Sequence, residues 1–414
     1  MSRAITVLLL ATLLLSAVLG WRISALEHSR RAFTEDAIEL SKVKYGLFNV
    51  DVWKVVVADV VTKKVEELEI TNANRQEMRA RISTFLYKLI SDLEGRFERE
   101  NRGVLGGIRN AVSGFLGIFD KMKRDVPTFT EEILNFLDDP RNRNDLRNYI
   151  VEKINTYADD TFSETDYTTH DYILENYGYT DRSQAIAGLE ESAEQLNREK
   201  KPYTHALYLL FALVGVWLVA VKGESKQHLT IATAIALIPL YLGVSLPMIE
   251  LDARIAEMRF QLLGEPVAFT NQVLFYKSKS ILEVVELMVA QGKLDLAAVG
   301  VLVLTFSIFF PLAKLISSLV YIHKESARTK KAMRFMVFKT GKWSMADVMV
   351  VAIFMAYIGF SGIISEQLSQ LEGLTQNMDM LTTNKSQLHV GFFMFAIYVL
   401  LGLLIAQRIK ATVK

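Results

Sequence analysis

Six long apolar segments constrain this 414-residue sequence more than any other feature. Five of them reach the roughly 17–25 residues that a helix needs to cross a bilayer: 203–221, 229–249, 296–322, 343–363 and 389–407. The sixth, 5–19, is shorter; it follows Arg3 and is lengthened by Trp21 and Ile23. A basic start before an apolar run also describes a secretory signal peptide. The stretch from Leu15 to Gly20 offers no clear A-x-A cleavage site, so the expectation is an uncleaved signal anchor.

Lys and Arg near the helix ends set the orientation, because cytoplasmic loops are enriched in them. Seven of them (Lys324, Arg328, Lys330, Lys331, Arg334, Lys339 and Lys342) lie in 323–342, with Glu325 the single acid. Arg408, Lys410 and Lys414 follow the last apolar segment, whereas the loop after Ile363 has Glu366, Glu372 and Asp379 against Lys385. The basic loop and both termini are therefore assigned to the cytoplasm, and 24–200, 250–295 and 364–388 to the other side. The chain is 51% hydrophobic yet 22% charged, which fits this segregation. A net charge of +1 gives no reason to expect nucleic-acid binding. The absence of cysteine excludes disulfides, thiolate zinc sites and Cys nucleophiles.

The expected fold is mainly α: a polytopic membrane protein with about six spans, an all-α outer domain and a small β-hairpin on a four-helix module. Its parts are an anchor (1–23), the helical domain (24–200), a connecting span with a short cytoplasmic loop (201–228) and the four-helix module (229–414). In the helical domain, Met78, Ile82, Phe85, Leu86, Leu89, Ile90, Leu93 and Phe97 form one helical stripe, and Trp53, Val56, Val57, Val60 and Val61 another. Thr128 and Glu131 have capping-box spacing before Ile133, Leu134, Phe136 and Leu137. Residues 103–119 mix five glycines with Leu105, Ile108, Phe115, Leu116 and Phe119. That stretch reads as a membrane-interface or lipid-contact segment, or as a loop and helix packed through small residues. Asp159, Asp160, Glu164 and Asp166 lack EF-hand spacing and read as a solvated loop.

In 250–295, Met258, Phe260 and Leu262 alternate with Glu257, Arg259 and Gln261, which is strand period. Gly264, Glu265 and Pro266 supply a turn, and Val267, Phe269, Val273 and Phe275 are expected on one face of the return strand. Ile281, Val284, Val285 and Met288 then mark a short amphipathic helix ending at Gly292.

The most specific chemistry is intramembrane. Ser307, Pro311 and Lys314 share a helix face, and Asp347 lies about one turn into the fifth apolar segment, three residues after Ser344. A charge at the centre of a spanning helix costs about 2.5–3.5 kcal/mol on insertion scales, so Lys314 and Asp347 are natural partners. They form either a proton relay or polar gate, or a static pair with a snorkelling lysine.

Residues 310–315 (FPLAKL) and 341–348 (GKWSMADV) resemble the paraquat-inducible protein A family. Its pattern is P-x-x-K near the end of one span, a basic cytoplasmic loop, then G-x-W-S-M-x-D-V opening the next. Pro311, Gly341, Trp343 and Met345 match that signature, and Lys314, Ser344 and Asp347 match its polar positions. The resemblance covers about 229–414 and implies a membrane subunit of envelope lipid transport in the inner membrane of Gram-negative bacteria. It implies membrane lipids, phospholipid foremost, and an MCE-domain protein as partners, with the large domain in the periplasm. Family members commonly carry cysteine-rich zinc ribbons and two tandem four-span modules. Here there is no cysteine and one module, so a homo-oligomer is a way to restore the pair.

No cofactor, metal or enzymatic role is expected. The six histidines (His28, His170, His205, His228, His323, His389) show no metal-ligand pairing, and no nucleotide-binding motif occurs. The alternative to transport is a non-transporting scaffold or sensor whose outer domain recruits partners.

Overall fold

The computed structural model describes residues 2–47, 49–66, 75–101, 109–138, 148–149, 151–152, 165–221, 225–262, 264–338, 346–373 and 378–412. Among the described residues, six helices are long and apolar enough to cross a membrane, and they coincide with the six apolar segments. The chain is a mainly α, multi-pass membrane protein with a small antiparallel sheet.

Two of the six helices are far longer than a bilayer requires. α1 (Ser2–Ser41) and the later α6 (Arg182–Ala220) have 40 and 39 residues; at 1.5 Å per residue each is about 60 Å long. Their apolar halves serve as spans, and their polar halves run on together as an antiparallel stalk. Arg22 meets Glu199 at 2.5 Å and Arg182 donates to the Leu40 carbonyl at 2.7 Å. The expected boundaries after residues 23 and 200 thus fall inside continuous helices. Between them come α2 (Val50–Glu66), α3 (Arg75–Asn101), α4 (Arg109–Asp138) and α5 (Thr168–Tyr177). Gly178 ends α5 at φ 72°, a left-handed cap that glycine adopts without strain.

The third span is α7 (Lys226–Ser245). It leads into β1 (Ile249–Leu262) and β2 (Glu265–Lys279), paired antiparallel, and then α8 (Ile281–Ala290), which starts with a Ser280–Glu283 capping box. The fourth span comprises α9 (Leu294–Leu304), a π turn (Thr305–Phe309) and α10 (Phe310–His323). Short helices α11 (Glu325–Arg328) and α12 (Lys331–Phe338) lie in the basic loop. The fifth span is α13 (Ala346–Gly373) and the sixth α14 (Val390–Thr412). Between those two, β3 (Met378–Asn384) and β4 (Gln387–Leu388) pair with the other edge of β1 and turn the hairpin into a four-stranded sheet.

The third and sixth spans cross closely. A Cβ on Gly243 would lie 2.7 Å from the backbone of Phe395, and one on Gly391 would lie 2.3 Å from the Leu246 carbonyl oxygen. Small residues at such crossings let backbones approach and gain dispersion contacts, which is what drives helix association in lipid.

Outside the membrane, the helical stripes close their core on the sheet as well as on each other. Val57, Ala58, Val60, Ile82, Leu86, Leu89, Ile90, Ile133 and Leu134 share one cluster with Ile255, Met258, Phe260, Leu262, Val267 and Phe269. The Trp53 ring packs on both Phe260 and Phe269, at 5.8 and 5.2 Å between centroids. Two local expectations are corrected. Thr128 does not open a helix, because α4 runs unbroken through Pro127. Proline removes one helical donor, but Val126, Thr130, Ile133 and Leu134 stay buried in one continuous face and hold the helix together. Phe275 does not share the buried face of Val267 and Phe269; it is 44% exposed. The register shifts between Ala253 and Arg254, where Leu274 is left without a partner, and Asn271 takes φ 51° between Phe269 and that shift. Such irregularities exchange the faces of a strand.

Candidate functional site

The intramembrane residues centre on the fourth span. Pro311 lacks the N–H that would bond the Ser307 carbonyl, and the helix widens into its π turn over Thr305–Phe309. Ser307 is fully buried, and its hydroxyl has no hydrogen-bond partner among the described residues. One and a half to two turns further on, Lys314 is also buried, at 7% exposure. Its Nζ lies 3.8 Å from where a Cβ on Gly402 would sit, so the ammonium abuts the bare face of the sixth span. Ser318 donates to the Lys314 carbonyl at 2.8 Å. Ser307, Pro311 and Lys314 therefore all point inward.

Gly341, Trp343, Ser344 and Met345 lie outside the described residues, as does the side chain of Asp347 in the first turn of α13. Leu105 and Ile108 lie outside them too; Phe115, Leu116 and Phe119 belong to helix α4, but their side chains are not among those described. Of the acidic run, only Asp166 is described: exposed, it accepts from the Thr168 amide at 2.9 Å.

A second charged site, which the linear pattern does not reveal, lies where the stalk meets the sheet and the sixth span. Glu27, at 2% exposure, accepts from Arg30 at 2.8 Å and from Lys200 at 2.5 Å. Arg30 also reaches Glu250 of β1 at 3.4 Å. Glu250 accepts from the Tyr276 hydroxyl at 3.1 Å and from Gln387 at 3.3 Å. His389 Nε2 stands 3.2 Å from Glu250, within ion-pair distance but off the hydrogen-bonding line. Burial pushes the Glu250 carboxyl up, but His389, Arg30 and Gln387 outweigh burial and hold it down at about 2. Burial, with the Glu250 charge, raises the Tyr276 phenol.

A parallel tie lies higher on the stalk. Arg254 of β1 grips Asp252 through Nε at 3.0 Å, and it donates to Glu190 of α6 at 2.9 Å and to Asn271 at 2.7 Å. Burial lowers the Arg254 guanidinium, but the two carboxylates more than offset it and raise it. Both networks join the α1–α6 stalk to β1.

Among the described residues, no three His, Asp or Glu side chains form a metal-binding group. His389 joins the Glu250 cluster; His228 contacts Thr6 at 3.0 Å and His323 contacts Thr230 at 2.9 Å, both near the opposite membrane face. The one advance signal for the buried cluster was a charged pair three residues apart, Glu27 and Arg30, just past an apolar run.

No curated protein and no solved structure matches the chain significantly. Residues 264–369, from the β1–β2 turn through most of the fifth span, match the model of the paraquat-inducible protein A family.

Proposed function

We propose that this protein is a membrane subunit of a bacterial envelope lipid-transport system, set in the inner membrane with its stalk and sheet in the periplasm. The family match over 264–369 carries the reading, because it contains the fourth span with its buried Lys314 and Ser307. A buried lysine and a π turn in one spanning helix are features of polar pathways rather than of inert anchors. In this reading Lys314 and Asp347 form the relay or gate, phospholipid is the cargo, and an MCE-domain protein receives or delivers it at the sheet end. The protein performs no covalent chemistry and takes no cofactor.

The test is reconstitution with an MCE-domain partner in liposomes containing fluorescent phospholipid. Lys314→Met and Asp347→Asn, each checked for folding, are expected to abolish lipid exchange. Unchanged exchange in both variants removes the relay. No exchange even by the unaltered protein favours the scaffold, in which the spans only anchor the stalk.

A further inference from the structure

The free edge of β2 faces α1 but does not close against it. At one end, Lys42 forms a parallel bridge to Val273; at the other, Arg31 donates to the Ser278 carbonyl at 3.3 Å. Between these ties lies a cavity of about 410 Å³, within the range of small-ligand sites. One side is apolar, with Ile38, Val43 and Leu274. The rim is basic: Lys42 and Lys44 on the stalk side, Lys277 and Lys279 on the strand.

The nearby acids are already engaged. Glu39 holds both Lys42 and Lys44, the latter at 2.8 Å, and Glu35 holds Arg31 at 3.1 Å. Glu283, which feels the Lys279 charge, is paired with Arg31 at 2.7 Å. Lys277 and Lys279 make no ion pair among the described residues, so the cavity's four lysines outweigh its two glutamates by two charges. Ser278 also lines the cavity. β2 is an edge strand, so backbone donors beside the cavity are not spent on a neighbouring strand.

We propose that this cavity binds the anionic phosphate group of a phospholipid, with the apolar wall taking the adjoining glycerol and first methylenes. The identity of the ligand as lipid rests on the transport reading; the anion chemistry does not. Glu35, the first residue of α1 that lines the cavity, is twelve residues beyond Ile23, where the apolar part of α1 ends, so the cavity begins about 18 Å further along the helix. A headgroup held there has left the bilayer and stands on the stalk.

The experiment uses the full chain in a non-ionic detergent and measures binding of three probes by calorimetry: short-chain phosphatidylglycerol, short-chain phosphatidylcholine and inorganic phosphate. The variant is Lys277→Gln/Lys279→Gln, with Lys331→Gln in the basic loop as control. The expected order of affinity is phosphatidylglycerol, then phosphatidylcholine, then phosphate. The double variant should bind phosphatidylglycerol roughly tenfold or more weakly, as expected for losing two charge-assisted contacts, while the control binds as before. Equal binding by variant and unaltered protein overturns the site. Phosphate bound as tightly as phosphatidylglycerol overturns the lipid assignment. Lysine-dependent lipid binding without exchange in liposomes upholds the site and sinks only the transport reading.

Discussion

The third and fifth spans are both apolar helices of sufficient length, yet they sit in the molecule in opposite ways. Over its most apolar stretch the third span buries 61% of its residues, and the fifth buries none. The third packs on the first and sixth spans through Gly20, Gly243 and Gly391. The fifth presents Val351, Met355, Ile358 and Ile363 outward, and Gly359 and Gly362 have nothing within van der Waals reach. Apolar character alone therefore does not place a span, since lipid and protein are equally good partners for it. What separates the two is close backbone approach and the charged ties above it. The loosely held span belongs to the segment that matches the paraquat-inducible protein A family, and the tightly held one does not. The stalk and core spans form a closely packed frame, and the fifth span lies at its edge with its apolar face outward.

The largest effect should come from breaking the frame where its charges are buried. Glu27→Gln leaves Arg30 with Glu250 as its remaining carboxylate and takes from Lys200 the carboxylate it is paired with, both cations being under 10% exposed. Removing one partner of a buried ion pair costs about 3–5 kcal/mol. Thermal unfolding in detergent should show a large fall in midpoint, and a small one would mean the cluster is wetter than its burial implies.

Next in size is the crossing itself. Gly243→Val forces a side chain into the backbone of Phe395 and should cost about 1–3 kcal/mol or more through overpacking. Destabilisation by Gly391→Val should be similar, because its Cβ would meet two carbonyl oxygens. If either variant unfolds like the unaltered protein, the frame is looser than the third span's burial suggests.

These two effects differ in how far the amino-acid pattern could foresee them. The spans were legible because twenty apolar residues in a row admit few alternatives, and β1 and β2 because Met258, Phe260 and Leu262 alternate cleanly. β3 was not seen, since Met378–Asn384 is a short strand completed only by pairing with β1. Thr128 misled because its local capping signal is weaker than the burial of α4 on either side of Pro127. In the candidate site, Ser307, Pro311 and Lys314 were legible from spacing on one helix. The Glu27 cluster was not, because its members come from positions 27, 30, 200, 250 and 389, and only the fold brings them together.

A smaller effect, carried by pH, separates the frame's charges from one another. The Glu250 carboxyl is held at about 2, below its ordinary 4.5. A group whose folded pKa is depressed contributes stability above its unfolded value and loses it as pH falls through the folded value. The unaltered protein should therefore lose midpoint progressively from about pH 4.5 towards 2. Glu250→Gln should start less stable at neutral pH and show a shallower slope across that window. Parallel slopes would mean that His389 and Arg30 do not hold this carboxylate.

The smallest expected effect lies on the fifth span, and it is the sharpest control on the comparison. Gly359→Val places a side chain where no atom stands within 4 Å, whereas the same change at Gly243 meets backbone. Substitutions away from packed features usually stay within about 0.5 kcal/mol, so Gly359→Val should leave the unfolding midpoint close to its starting value. If Gly359→Val destabilises as Gly243→Val does, the fifth span is packed in the membrane against something absent from a single chain. A second copy is then the first candidate, and the mass of the particle in detergent decides it. If the two variants differ as stated, the outward face of α13 is a lipid face, and lipid exchange in the Gly359→Val protein becomes informative. Loss of exchange with an unchanged midpoint would tie that face to function without any loss of fold.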